Sequence, residues 1–328
     1  MLKFGIIGTS DISHKFISSA HLSKYLQLSA IFSRKLETAM SFSTNYENVI
    51  LYTEWIKFLS APIDLVYIAS PNALHFEQAK AVLMAGKHAI VEKPMVSTPT
   101  ELTQLRQIAQ ENGVFLFEAA RNYHEEAIAI IKDFLKEQTV WGANFSYAKY
   151  SSKMPELLAG QTPNIFSTDF SGGALMDLGV YTLYTAIGLF GRPNAARYAA
   201  HQLPSSIDLN GNGQLIYDDF LVSIQAGKNI TSNLPSEIYT SEGTLTLNAC
   251  QHISSAIFTK HDGSQIILPI QAQEDAMLEE VQAFAQVIQQ NNHELAEEWL
   301  DVAEAVHQTL YTMRQDAGIT FKADTHEN

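Results

Sequence analysis

Residues 5–13 read GIIGTSDIS, an apolar strand signal that runs directly into a turn and a helix start. Dinucleotide-binding loops carry G-x-G-x-x-G at such a place. The first glycine makes a tight turn, the second admits the pyrophosphate and the third lets helix and strand pack closely. Gly8 keeps the first of these positions, while Ser10 and Ser13 hold the other two. Serine is small enough for helix packing, and the Ser10 hydroxyl could hydrogen-bond a phosphate. Gly8, Thr9, Ser10, Asp11 and Ile12 then form a candidate loop, because the helix start after it offers free N–H groups to an anion. Asp11 would repel a phosphate unless it turned away to cap the helix.

The surrounding sequence decides whether this is a nucleotide loop or a chance turn. Strand and helix signals alternate through LKFGIIG, ISHKFISSAHLS, QLSAIFS, KLETAMSF, VILY, EWIKFLSA and DLVYIAS. A helix follows whose face carries Ala73, Phe76, Ala79, Val82 and Leu83 and which ends at Gly86; then come HAIVEK, TPTELTQLRQIAQENG and VFLFEAA. Apolar strands between helices imply a parallel sheet covered on both faces, and right-handed crossovers make it doubly wound. Its ligand crevice lies at the strands' carboxyl ends, at GTSDIS, SRK, SPN, EKP and EAARNYH.

After about residue 121 the pattern changes. One helix, EEAIAIIKDFL, precedes WGANFSYAKYS, QLIYDDFLVSIQAG, PSEIYTSEGTLTLNA and SSAIFTKHDGSQIILPI, which read as longer strands joined by turns. The tail returns to helix from AMLEEVQAFAQVIQQ to LDVAEAVHQTLYTMRQD, and the polar KADTHEN is expected to fray. The expected fold class is α/β: a Rossmann-type doubly wound parallel sheet in 1–121, then an α/β domain with a large, mostly antiparallel sheet in 122–328. The C-terminal helices are candidates to pack back on the first domain.

Composition narrows the functional classes. A net charge of −14 over 328 residues disfavours nucleic acid and anionic membrane surfaces as partners. No stretch reads as the ~20 apolar residues of a spanning helix, and the start of the chain does not read as a signal peptide. The single cysteine, Cys250, is expected to be buried and structural, and no Cys/His group has metal-ligand spacing. A cytoplasmic location and no metal are the expectations.

Several residues at the crevice carry chemistry. The second strand ends in Phe32-Ser33-Arg34-Lys35 without the acid that binds ribose hydroxyls in NAD-specific loops. Arg34 can neutralise a 2′-phosphate and stack on adenine while Ser33 donates a hydrogen bond, so NADP(H) is favoured over NAD(H). Ser70, Pro71 and Asn72 end the fourth strand, with His75 one turn further on as a minor candidate facing crevice or solvent. Glu92, Lys93 and Pro94 end the fifth; there a lysine points into the crevice, whereas Glu92 faces away or pairs with a neighbour. In SGGALMDLGVYTL, Asp177 and Tyr181 stand four apart on one helix face, with Tyr184 close enough to share a core role. Arg121, Tyr123 and His124 leave the sixth strand, either to bind substrate or to form a hinge.

These stretches together resemble the Gfo/Idh/MocA oxidoreductase family. GIIGTSDI looks like its nucleotide loop, SPNALHFEQAKAVLMAGKHAIVEKP like its signature run, FEAARNYH like its entry to the second domain and SGGALMDLGVYTL like its G-G-A-x-x-D-x-G-x-H motif. The resemblance implies that Ser70–Asn72 and Glu92 lie along the cofactor and that Lys93 serves both cofactor and substrate. Tyr181 departs from the usual histidine, as in members resembling dimeric dihydrodiol dehydrogenase and NADP-dependent xylose dehydrogenase. Lys93, Asp177 and Tyr181 are then the expected catalytic residues, and Arg121, Tyr123 and His124 further substrate contacts. The implied activity is NADP(H)-dependent hydride transfer at a hydroxyl-bearing carbon of a sugar, cyclitol or small diol, in a homodimer joined through the C-terminal sheet. A reductase of a non-sugar substrate and a non-catalytic NADP-binding sensor are the alternatives.

Overall fold

The computed structural model describes residues 1–326, and the chain divides into two compact units. Met1–Ala119 and Met277–Asp301 form the first; Ala120–Ala276 and the residues from Val302 form the second. In chain order, β1 (Leu2–Ile7), α1 (Asp11–Ser23), β2 (Leu26–Phe32), α2 (Leu36–Ser43), β3 (Ile50–Tyr52) and α3 (Trp55–Leu59) come first. Then follow β4 (Leu65–Ile68), α4 (His75–Met84), β5 (His88–Glu92), α5 (Pro99–Asn112) and β6 (Leu116–Ala119). The second unit starts with α6 (Glu126–Leu135), β7 (Val140–Ala148), α7 (Met154–Leu158) and α8 (Val180–Phe190). Its strands continue as β8 (Ala195–Gln202), β9 (Asp208–Ile216), β10 (Leu221–Gly227), β11 (Ser236–Thr240), β12 (Gly243–Leu247), β13 (Ala256–Lys260) and β14 (Gln265–Ile267). Last come α9 (Leu278–Gln290) and α10 (His293–Asp316).

The first unit is a parallel sheet in the order β3-β2-β1-β4-β5-β6. Chain direction across the sheet reverses between β1 and β4, which opens the crevice there. Phe4, Ile6, Tyr67 and Ile90 from the strands meet Phe16 and Ile17 of α1, and Val281 and Phe284 of α9, in one core. The Phe16 and Tyr67 rings stack with centroids 3.7 Å apart. α5 begins with a capping box between Thr98 and Glu101 and ends at Gly113, whose φ is +63°. Both signals stand openly in the sequence.

The second unit is built on an eight-stranded sheet, β14-β13-β12-β11-β7-β10-β9-β8. β7 and β10 run parallel and the other pairs antiparallel. α8 is buried along nearly its whole length and packs on β7 and β10. Here the structure corrects three expectations. QLIYDDFLVSIQAG is a hairpin, β9 and β10, that breaks at Tyr217–Phe220. The helix read from ALMDLGVYTLYTAIGLF opens with a π-helical turn, Leu175–Gly179. Lys322–His326 forms a short 3-10 turn pinned by Arg314, which donates to both oxygens of Asp324 at 2.9 Å. Of the expected frayed tail, residues 327 and 328 lie outside the described residues.

Thr168–Phe190 does pass for a membrane span by length and composition, with a mean hydropathy of 1.3, contrary to the sequence reading. It is core instead, since 83% of that window is buried inside the fold.

Candidate cofactor and substrate sites

In the first unit, β1 delivers Gly8 to a sharp turn with φ +106°, and a Cβ there would come within 2.4 Å of the Ala69 carbonyl oxygen. Only glycine permits this crossing of β1 past the end of β4. Ser13, in the third fingerprint position, is fully buried and donates its hydroxyl to the Gly8 carbonyl at 2.9 Å. It packs as a glycine would and also ties helix to loop. Ser10 is the N-cap residue of α1 but lends no side-chain cap, and Asp11 is the exposed first residue of the helix rather than its cap. The first-turn amides of α1 thus face the loop without a side chain covering them.

A cavity of about 890 Å³ opens above this loop, lined among others by Gly8, Thr9, Ser10, Ser33, Arg34, Lys35, Ser70 and Pro71. Its size, its helix N-terminus and its exposed basic pair fit a dinucleotide. The Ser33 hydroxyl accepts the Lys35 N–H at 3.4 Å, which keeps its own proton available to a ligand. Of the other residues expected to bind cofactor, Asp11, Ile12, Asn72, Glu92 and Lys93 do not line this cavity.

Glu92 is buried and accepts the Tyr67 hydroxyl at 2.5 Å and the Lys93 N–H at 3.2 Å, so it joins β5 to β4. Lys93 is half-buried at the carboxyl end of β5, and the Lys93–Pro94 bond is cis. His75 is neither in the crevice nor in solvent: it is buried, with Nε2 2.8 Å from the Ser70 carbonyl and Nδ1 3.0 Å from the Pro94 carbonyl. It therefore links the loop after β4 to the loop after β5. Burial pushes its imidazole below the usual range, against the pull of the two carbonyls.

In the second unit, Gly173 has φ +117°, and a Cβ there would meet Asp208 Oδ1 at 2.1 Å. That clearance lets the Asp208 carboxylate accept the Leu175 N–H at 2.7 Å and the Tyr198 hydroxyl at 2.9 Å. Asp208 thus anchors the start of the π-helical turn that carries Asp177. Insertions of this kind recur at functional sites, where they aim a side chain. Asp177 is half-buried and pairs with the ammonium of Lys228. Tyr181 is 9% exposed, its ring edge-on to Tyr147 at 5.4 Å, with the Arg121 guanidinium 5.6 Å from its centroid. Tyr184 is buried at 2% and belongs to the core.

Asn122 was not singled out in the sequence, yet it locks this region. Its amide donates to the Tyr181 carbonyl at 3.0 Å, to Thr185 Oγ1 at 3.1 Å and to the Cys250 carbonyl at 3.2 Å. Arg121, Asn122 and Tyr123 form one 3-10 turn packed on α8, and the Tyr123 ring lies edge-on to His124 at 5.2 Å. Lys228 was also missed. It ends a strand as Lys93 does, after Gln225-Ala226-Gly227, and that position is the signal that could have found it. No group of three or more His, Cys, Asp or Glu side chains among the described residues is arranged to hold a metal.

A glycine-turned β1–α1 loop at the switch point of a parallel sheet, beside a cavity of about 890 Å³, defines a dinucleotide-binding protein. Residues 2–120 match the oxidoreductase family described by its NAD-binding Rossmann fold. Over 328 residues the chain is 34% identical to the uncharacterized oxidoreductase YgjR of Escherichia coli, covering 99% of both. It is 32% identical over 326 residues to the scyllo-inositol 2-dehydrogenase (NADP(+)) IolU of Bacillus subtilis, again covering 99% of each. Its fold matches the crystal structure of KijD10, a 3-ketoreductase from Actinomadura kijaniata, with a TM-score of 0.84 and 22% identity over 96% of this chain and 98% of that one. The chain belongs to the Gfo/Idh/MocA oxidoreductase family.

Proposed function

We propose that this chain is an NADP(H)-dependent oxidoreductase that moves a hydride to or from a hydroxyl-bearing carbon of a sugar, cyclitol or small diol. The observation that carries the reading is the cavity above Gly8, Thr9 and Ser10, with Ser33 and Arg34 at its rim where an NAD-specific loop would place an acid. The α1 amides would hold the pyrophosphate, and Arg34 and Ser33 would hold the 2′-phosphate. The similarity to an NADP(+)-dependent inositol dehydrogenase along the whole chain agrees with this cofactor and this substrate class.

When bound, the dinucleotide would supply the hydride donor or acceptor. The protein's part is to bind, to align and to move one proton. Asp177 accepts a hydroxyl of the substrate. Tyr181 is the proton-transfer group, with the Arg121 guanidinium 5.6 Å from its ring centroid. Lys93 carries or steadies the proton at the end of β5. Arg121, Tyr123 and His124 contribute further substrate contacts.

A homodimer joined through the outer face of the eight-stranded sheet is part of this reading. That face carries Asn144, Ser223, Asn212, Gln214 and Arg197 around a hollow of about 550 Å³. A cytoplasmic location is also part of it, consistent with a Cys250 thiol that burial pushes up to about 12 and leaves unreactive. The test is a panel of inositols, pentoses and diols offered with NADP⁺ or NAD⁺, read by the absorbance of reduced nicotinamide. Turnover confined to aldehydes or imines would replace the substrate class.

A further inference from the structure

Lys228 stands one residue beyond β10, with its backbone held on both sides. Its N–H donates to the Leu209 carbonyl at 2.7 Å and its carbonyl accepts the Ser151 N–H at 2.8 Å. A backbone clamped in this way fixes where the side chain starts. The lysine side chain is only 6% exposed, and its ammonium pairs with Asp177, whose side chain is 26% exposed. The π-helical turn that carries Asp177 abuts β10; a Cβ on Gly179 would lie 3.4 Å from the Ala226 Cβ. The lysine is thus the inner partner and the carboxylate the outer one.

A buried cation rarely persists without a task, because its desolvation costs about as much as its pairing returns. An ammonium meant to bind substrate directly would need exposure that Lys228 lacks. Behind a half-exposed carboxylate it engages the Oδ2 of Asp177 and so fixes how the carboxylate is turned. An ammonium–carboxylate pair carries no net charge of its own, which suits an uncharged hydroxyl and not a phosphate or a sugar acid.

We propose that Lys228 is a positioning residue that acts through Asp177 to select a neutral polyol hydroxyl. This rests on the reading of Asp177 as the residue that accepts a substrate hydroxyl.

The test uses the full chain, with scyllo-inositol and D-xylose as probes and NADP⁺ as cofactor. Lys228→Gln should raise KM for the polyol by about tenfold or more, the scale of a charged hydrogen bond. The Kd for NADP⁺, measured by titration, should stay within about twofold. Lys228→Arg, which keeps the cation, should recover most of the loss. The double variant Asp177→Asn/Lys228→Gln should be no worse than Asp177→Asn alone, because the lysine works through the carboxylate. If Lys228→Gln does not fold, Lys228→Met carries the same measurement, since it keeps the apolar stem and buries no unpaired amide. An unchanged KM in the folded variant, or losses that add fully in the double variant, would overturn the proposal. Wild-type protein that oxidises neither probe nor any neutral polyol would overturn the functional reading itself, and this inference with it.

Discussion

The Ser13 hydroxyl donates to the Gly8 carbonyl at 2.9 Å, across the turn that joins β1 to α1. A serine in the third fingerprint position therefore does more than fit. It replaces the close packing of glycine with a hydrogen bond that fixes the helix start against the loop. Ser13→Gly should keep cofactor binding but lower stability by about 0.5–1.5 kcal/mol for the lost bond, with the added backbone entropy of glycine on top. Melting curves and an NADP⁺ titration on one preparation check both halves of this.

Gly8 is stricter. Its positive φ and the 2.4 Å approach of the Ala69 oxygen to any Cβ leave no room for a side chain. Gly8→Ala should destabilise the protein and weaken NADP⁺ binding together. Ser10→Gly should be tolerated, while Ser10→Val should weaken NADP⁺ binding by adding branched bulk to the wall of the cavity. Full NADP⁺ affinity in a folded Ser10→Val protein would remove this loop from the pyrophosphate site.

Arg34 is the proposed contact for the 2′-phosphate. Arg34→Ala should weaken NADP⁺ by about 1–3 kcal/mol and leave NAD⁺ nearly unchanged, because only NADP⁺ carries the 2′-phosphate. Calorimetric titration with both cofactors reads the difference directly. Equal losses for the two would place Arg34 on the adenine they share, and no loss for either would place it outside the site.

His75 sets a pH dependence. Burial holds its folded-state pKa below the usual value, so the unfolded chain takes up a proton more readily than the folded one. The stability this contributes is present above about pH 6.5 and is lost as pH falls towards the folded-state value. Burial shifts His88 and His21 in the same direction. The melting temperature should therefore fall between about pH 7.5 and about pH 5.5, and less steeply in His75→Gln. An identical slope in that variant would assign the effect to the other histidines.

The parallel sheet was legible because its strands are buried on both faces and read as unbroken apolar runs. The second sheet was harder. β8 and the first part of β9 are not legible, since AARYAAHQ and DLNGNG carry few large apolar side chains. Gly211 looks like a strand breaker, yet it sits in mid-strand because a Cβ would come within 2.4 Å of the Tyr198 hydroxyl. That need arises only after β8 and β9 have paired. The same holds for the polar anchors. Asn122, Asp208 and Lys228 find their partners 59, 33 and 51 residues away, so no local spacing announces them. Asp177 and Tyr181 are legible as residues four apart on an apolar helical run, but the π-helical turn that carries Asp177 is not. It follows from the Asp208 bond and the contact with β10 rather than from the residues of the turn itself.

Tyr181→Phe keeps the ring that packs edge-on to Tyr147 and removes only the hydroxyl. Turnover should fall about 10²–10⁴-fold, the usual contribution of a general acid or base. NADP⁺ affinity and melting temperature should hardly move. Turnover within a few-fold of wild type, measured on a verified substrate, would make Tyr181 a core residue and leave the proton transfer to Lys93.

Hydride transfer itself is the central claim, and isotope transfer tests it most directly. A polyol deuterated at the carbon to be oxidised is incubated with NADP⁺ and the wild-type protein, and the nicotinamide C4 position is read by proton NMR. The account predicts that deuterium appears at C4, on one face only, in step with formation of the ketone or lactone. Tight NADP⁺ binding with no deuterium at C4, for every polyol offered in either direction, would contradict it and leave a protein that binds the dinucleotide without using it.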